Sequence, residues 1–441
     1  MFYIVEEENK LAHLEQYSKC YVDVVSSNDN YHPFLTSTIA VYVHILDIQE
    51  SFIIPVAHPE GINIDKERIY QLLSNFSTLY TTNKKSLLYH FNLQDAIDLS
   101  MVHSMSKYER LEYSYDAGNT NHFYSKFGHT EFKSINKLIP ISRLFESRNK
   151  VFNQIKHTLD LDIPDGFSFY NNLGTNVFFL LEQQGLGINY QEYKSLFTPR
   201  NILYNTEDNK VLTFYNLYNA TSRPTNAFNS VNYAAIPKSD EHRKCFRPTK
   251  DYFVEFDFDG YHLRLLAEQI DYELTPDSAH KQLAKHYFGT EDISEEQYKQ
   301  AKQINFQAIY GKIPEEHKDL DIFVKIQEYI DSMWSSYTET GCVWNPQSGK
   351  QFNSNLKDMN PAKLMNYMMQ SLETSRNILI LKEVLRYLKD KSTKPVLFTY
   401  DAILFDYDKS DGKDTLEGIQ EILEQKGKFP VKFKFSKDLV L

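Results

Sequence analysis

Short β-branched and aromatic runs at Cys20–Val25, Thr36–Asp47 and Ser51–His58 predict three strands near the start of the chain. Apolar positions then take helical spacing at Lys66–Phe76 and Leu93–Met105, and the Asn-, Gly- and Ser-rich stretch 114–130 predicts an irregular connection. A helix is predicted from about Phe169 to Gln184, closed by Gly185 and Gly187, and Asn205–Tyr218 reads as a hairpin turning at Glu207-Asp208-Asn209-Lys210. In the second half, Tyr252–Phe258 predicts a strand running into a turn at Gly260, with a helix from Tyr261. Ser294 opens another helix with a capping box, because Gln297 stands three residues on. Gly311 and Pro314 predict where that helix stops. Pro361 starts a long helix to about Lys391, Val396–Asp406 is an apolar strand or hairpin interrupted by Tyr400-Asp401, and Phe429–Ser436 alternates cleanly. The pattern is α+β, with acids at strand ends.

Length bounds this picture: 441 residues predict two to four packed units at about 100–200 residues each. With 41% hydrophobic and 24% charged residues the chain can bury real cores. Cys20, Cys245 and Cys342 share no metal-like or disulfide-like spacing, which points to a reducing compartment. The N-terminus carries Glu6, Glu7 and Glu8 where a signal peptide needs basic residues, and the longest apolar run, Ile39 to Leu46, has strand length. A soluble, cytoplasmic protein without membrane contact is expected.

Net charge of −11 argues against a nucleic-acid partner only if it is spread evenly. It is not. Residues 197–250 hold eight basic side chains against Glu207, Asp208, Asp240 and Glu241, and Lys137–His157 holds Lys137, Arg143, Arg148, Lys150 and Lys156 against Glu146. Phosphate binding needs a local positive stripe rather than a basic whole. A solvated mixed-charge surface is the plainer reading, and charge leaves the question open.

Some residues carry chemistry. Asp257 ends an apolar strand before Gly260, where a carboxylate can bind a divalent metal or simply form a turn. Asp401 stands between two apolar runs, where burying it unpaired is costly. Lys302, Phe306 and Tyr310 fall four residues apart, so one helix face presents a cation and two rings. That face suits a triphosphate and a base or sugar; it also suits a core stripe with a snorkelling lysine. Asn366 and Gln370 lie at i and i+4 among Leu364, Met365, Met368, Met369 and Leu372, as satisfied core amides or as readers of a groove.

Together and in this order, these features resemble family A DNA polymerases, the class of bacterial DNA polymerase I, in a form lacking the 5′ nuclease. Phe256-Asp257-Phe258-Asp259-Gly260-Tyr261-His262-Leu263-Arg264 resembles motif A, Lys302 to Gly311 is similar to motif B, and Tyr400-Asp401-Ala402 occupies motif C. Ala220 to Arg223 and Asn232 to Pro237 resemble the segment that contacts primer–template in the minor groove, and His280 matches a triphosphate-binding histidine. Tyr21-Val22-Asp23 and Ile54 to His58 look like a 3′–5′ exonuclease-type domain.

The resemblance implies a right hand of palm, fingers and reduced thumb preceded by a ribonuclease-H-like α/β domain. Its divisions would be 1–145 for a degenerate exonuclease-type domain, 146–250 for the reduced thumb and start of the palm, and 251–441 for palm and fingers, with fingers at about 270–345. It implies a template-directed DNA polymerase adding dNTPs to a primer 3′ end, in phage or mobile-element replication. Asp257 and Asp401 would hold two Mg²⁺, with Mn²⁺ as a substitute, and Lys302 would contact the triphosphate and serve the leaving group. His280, Phe306, Tyr310 and His262 would surround the nucleotide, and Arg223, Asn232, Asn366 and Gln370 the DNA minor groove.

Departures from the family pattern matter. His262 stands where a glutamate excludes ribonucleotides, Tyr400 and Ala402 flank the motif C aspartate in place of His and Glu, and Tyr298 replaces a triphosphate-clasping arginine. In the N-terminal part, Asp23-Val24-Val25 lacks the glutamate of a two-metal site, leaving Asp23 and Asp95 as remnants; Tyr113 and Asp116 keep a third-motif spacing. An inactive exonuclease lobe is expected. Asn189 and Thr221 are too close in sequence for a long helical thumb, so a processivity or replisome partner is expected. The alternative readings are a catalytically decayed, DNA-binding replication accessory and a nucleotidyl transferase with loosened sugar choice.

Overall fold

Strand and helix signals in the first part of the chain build a six-stranded sheet, ordered β1-β4-β3-β2-β5-β6. Its strands are β1 (Tyr3–Ile4), β2 (Lys19–Ser26), β3 (Thr38–Ile45), β4 (Glu50–Pro55), β5 (Thr78–Thr81) and β6 (Ala96–Asp98). The structure is a computed structural model, and it describes residues 3–115, 134–197, 206–207, 209–226, 231–237, 241–310 and 312–441. β2, β3 and β4 pair antiparallel, whereas β5 and β6 extend the sheet in parallel from β2. Every residue of β3 is buried, as its near-continuous apolar sequence requires.

Two helices here depart from expectation. Leu93–Met105 was expected to be one helix; instead Ala96–Asp98 is a strand and the helix runs Leu99–Lys107. Asp98 makes the break, because its carboxylate accepts the Met101 N–H as an N-cap. The helix Lys84–Phe91 escapes its apolar pattern because Lys84, Lys85 and His90 are buried on it. Further on, the expected helix near Phe169 is a π turn at Phe169–Gly174 followed by an α-helix at Thr175–Glu182. The helix Ile141–Ile155 places Leu144, Phe145, Phe152 and Ile155 in one core with Tyr21 and Tyr42. Residue 145 therefore lies inside a packed helix, and the first compact unit comprises Met1–Phe179, Lys194–Tyr218 and Asn226–Val231. The hairpin expected at Asn205–Tyr218 survives as a short pairing of Thr206–Glu207 with Lys210–Val211.

The second unit comprises Leu180–Tyr193, Asn219–Thr225 and Asn232–Leu441. At its centre is an antiparallel sheet ordered Lys394–Thr399, Ala402–Tyr407, Tyr252–Phe258, Val431–Ser436. Asp257 is in register with Ala402 on one side and Lys432 on the other. Phe256, Ile403 and Phe405 are buried beneath it, with the Phe256 and Phe405 rings 5.6 Å apart. Burying each contributes about 1.5–3 kcal/mol, enough to hold together strands whose ends carry like charges. Val431–Ser436 is the sheet edge, and its alternation does not bury a face: Phe433 and Phe435 remain 46% and 48% exposed.

Around this sheet stand the helices Tyr261–Gln269, Ala279–Phe288, Glu295–Ile309, Asp321–Thr340 and Pro361–Tyr387. The last is the longest. It starts as its sequence dictates, with Pro361 in the first turn and the Asn360 side chain accepting the Lys363 N–H. It packs against both Tyr261–Gln269 and Asp321–Thr340, which explains why apolar residues ring it on most sides. No helix among the described residues is long and apolar enough to cross a membrane.

Candidate active site

Asp401 sits in a two-residue turn joining Lys394–Thr399 to Ala402–Tyr407, and that turn is held firmly. Tyr400 takes a left-handed φ of 63°, which side chains with a Cβ adopt rarely. Its carbonyl accepts from Asn377 Nδ2 at 2.8 Å, and Asn377 Oδ1 accepts from the Tyr261 hydroxyl at 2.8 Å. The Asp401 carbonyl accepts from the Phe258 N–H at 3.0 Å, tying the turn to the strand that ends in Asp257. The two aspartates predicted from their strand ends are thus brought together, and both line one cavity of about 300 Å³. Protein mass around Asp401 raises its carboxyl above the usual range by desolvation, and the charge of Glu373 adds to the rise.

The helix Glu295–Ile309 brings the second set of residues to the same cavity. Its capping box forms as expected, with Ser294 and Gln297 exchanging hydrogen bonds. Lys302 is exposed with its ammonium 5.9 Å from the Phe306 ring, and Phe306 stays 44% exposed rather than entering a core. A core stripe would have buried both. The Phe306 ring lies 6.0 Å from His280, stacked at 30°. Asn305, buried behind them, donates from Nδ2 to His280 Nδ1 at 2.9 Å, which leaves the imidazole proton on Nε2. Desolvation lowers the His280 pKa to about 4, so it acts as a neutral donor. Gly260 caps the following helix at φ 61°, a conformation suited to glycine, close to His280 Nε2.

The structure brings an acid up to His262 from a distant part of the chain. Glu373, on the helix Pro361–Tyr387, is buried with Oε1 at 3.0 Å from His262 Nε2. Arg223 Nε lies 2.8 Å from Glu373 Oε2, and a second guanidinium nitrogen donates to Oε1 at 3.2 Å. The Arg223 guanidinium also lies 3.8 Å over the Tyr400 ring. His262 Nδ1 meets the Tyr310 hydroxyl at 3.0 Å. Burial opposes charge on Glu373, but His262 and Arg223 outweigh it and hold the carboxyl below its ordinary range. Sequence reasoning missed Glu373. The signal was available: an acid inside an apolar helical run needs a partner, the same argument that singles out Asp401.

The expected groove readers are placed less uniformly. Gln370 donates to Asn366 Oδ1 at 2.9 Å and accepts from Thr221 at 3.2 Å, so these amides are part of one hydrogen-bonded wall. Asn232 is exposed at the start of the turn Tyr233–Ala235. The Arg223 guanidinium is already committed to Glu373 and Tyr400. Lys432, opposite Asp257 in register, ion-pairs with Asp259 at the cavity wall.

The expected exonuclease remnants differ in surroundings. Asp23 is 6% exposed, and Arg148, itself 2% exposed, lies 3.6 Å from it and 2.7 Å from Asp29. Tyr115 stacks 3.7 Å from the guanidinium and donates to Asp23 at 3.3 Å. Desolvation raises the Asp23 pKa to about 6, with Arg148 pulling the other way. Asp95 is exposed, whereas Asp98 nearby is buried and accepts from the Lys84 N–H and the Tyr218 hydroxyl. Asp116 lies outside the described residues. Among the described residues, no three His, Cys, Asp or Glu side chains cluster as metal ligands. Asp257 and Asp401 are a pair, and the charge crowding at Asp401 is what a cation would relieve.

No protein-family model and no curated protein matches this chain. Among solved structures it is similar to the POL domain of Pol1 from M. smegmatis, in complex with DNA primer-template and dNTP, at TM-score 0.70 and 12% identity. The similarity covers 100% of this chain and 99% of that chain. The chain has the fold of that polymerase domain.

Proposed function

We propose that this protein is a template-directed DNA polymerase of family A type, serving the replication of a phage or other mobile genome. One observation carries the reading: Asp257, near the end of its strand, and Asp401, in the turn that opens the neighbouring strand, line the same cavity as Lys302, His280, Phe306 and Tyr310. In this reading Asp257 and Asp401 hold the divalent cations, Mg²⁺ or Mn²⁺, which supply Lewis-acid stabilisation of the attacking and leaving oxygens. The exposed Lys302 ammonium binds the triphosphate and is placed to give a proton to the leaving pyrophosphate. His280 donates its Nε2 proton to a phosphate oxygen, and Phe306 packs on the sugar. Thr221, Gln370 and Asn366 form a wall for the primer–template minor groove, whose acceptors are shared by correct pairs. Extension of a labelled primer on a template, with Mg²⁺ and dNTPs, tests the reading.

The N-terminal unit, in this reading, is an exonuclease-type lobe without exonuclease activity. Arg148 supplies a fixed positive charge to both Asp23 and Asp29, and a metal ion would have to displace it. The purified protein is therefore expected to leave a mismatched 3′ end intact with Mg²⁺ or Mn²⁺. Shortening of that end, abolished by Asp23→Ala, would show the opposite.

Grip on DNA is expected to be weak. Between Asn189 and Thr221 the described residues contain one helix, Tyr190–Leu196, and short strands, with no pair of long helices to close over a duplex. Fewer phosphate contacts mean faster release. In a single-encounter assay with a DNA trap, the chain by itself is expected to add few nucleotides before dissociating, and to need a partner protein for longer synthesis. Products hundreds of nucleotides long, made without a partner, would place the missing grip within this chain.

A further inference from the structure

Glu373 is a charged group of the cavity wall to which the motifs assign no part. A buried third carboxylate in the wall that Asp257 and Asp401 line is an expensive choice for packing alone, since an apolar side chain would fill the space more cheaply. Its geometry suggests what it does. Arg223 Nε lies 2.8 Å from Glu373 Oε2, and Glu373 Oε1 lies 3.0 Å from His262 Nε2, an ion-pair distance that holds this edge of the ring against the carboxylate. His262 Nδ1 is hydrogen-bonded with the Tyr310 hydroxyl at 3.0 Å. Each ring nitrogen thus faces a polar group, Nε2 the Glu373 carboxylate and Nδ1 the Tyr310 hydroxyl, next to Phe306 in the cavity lining.

We propose that Glu373 is a specificity-determining positioning residue: it locks His262 against Tyr310 with both ring nitrogens engaged, and so makes the site reject a nucleotide 2′-hydroxyl. The inference rests on the polymerase reading of this cavity. A locked imidazole blocks the 2′ position by its bulk and offers the hydroxyl no hydrogen-bond partner in exchange for lost water. A group desolvated without a partner is discriminated against. Freed from Glu373, the ring can turn and present a nitrogen to the hydroxyl, and the penalty disappears.

Single-nucleotide extension by the full chain with dNTP and with rNTP, compared as the ratio of kcat/KM, is the test. Glu373→Ala is expected to lower the dNTP-to-rNTP ratio by about 10–100-fold, the range one such contact spans. His262→Ala should do the same, and the double variant should fall no further than either alone, because both break one lock. Glu373→Gln, which still offers an oxygen to His262 Nε2, should retain most of the ratio. Tyr310→Phe should lower it from the other side of the ring, an arm that does not depend on how well Glu373→Ala folds. A loss of folded protein slows both nucleotides alike and leaves the ratio unmoved. Measurable extension with an unchanged ratio in Glu373→Ala and Tyr310→Phe would overturn the assignment, as would additive losses in the double variant. Absence of extension by the wild-type chain with either nucleotide would instead remove the polymerase reading itself.

Discussion

Asp257→Ala and Asp401→Ala are each expected to reduce primer extension by at least about 10³-fold, equivalent to roughly 4 kcal/mol of transition-state stabilisation. The size follows from the position of the two carboxylates: one stands near a strand end and the other in the turn that opens the neighbouring strand, both line one cavity, and in the proposed mechanism they would hold the cations on which both oxygens depend. Folding should survive. Asp401 is exposed at its turn, and the contacts that shape the turn run through backbone carbonyls of Tyr400 and Asp401 rather than through the Asp401 side chain. Primer–template affinity, read by fluorescence anisotropy, should stay close to wild type because neither residue clamps DNA. Extension comparable to wild type in either variant would remove that residue from the catalytic centre.

Lys302→Ala is expected to have the second largest effect, a loss of about 10²–10³-fold in kcat/KM for dNTP. The ammonium is exposed, so its removal leaves no cavity and should not move the thermal transition. Its two proposed tasks can be separated by measurement: lost phosphate binding raises KM, and lost proton donation lowers kcat. Lys302→Arg should recover much of the KM term while restoring little of the kcat term, because a guanidinium does not release a proton in this range. Unchanged steady-state constants in Lys302→Ala would show that the helix face carries no triphosphate.

The parts of the site legible in the sequence were those where a local rule is broken by a polar residue. Asp401 inside an apolar hairpin, Asp257 before a glycine turn, and the capping box at Ser294 each leave a trace within a few residues. What stayed hidden depends on contacts distant in sequence. Glu373 takes its meaning from Arg223 and His262, 150 and 111 positions away by residue number, and no window along the chain joins them. Arg148 likewise reads as one member of a basic stretch until the fold buries it against Asp23 and Asp29. The helix Lys84–Phe91 was obscured because its lysines point inward, which reverses the polarity on which helical spacing relies. The Val431–Ser436 strand alternates correctly, yet being at the sheet edge it leaves Phe433 and Phe435 half exposed. Alternation reports a strand; it does not report what covers it.

The most direct measurement is extension of a labelled primer on a defined template by the purified full chain, with Mg²⁺ and each dNTP supplied singly. Addition of the complementary nucleotide alone, lost in Asp257→Ala and Asp401→Ala, is the result expected of a template-directed polymerase built on this cavity. Primer–template binding without any extension above those two variants would contradict it, and would mark the protein as a DNA-binding accessory on a polymerase fold.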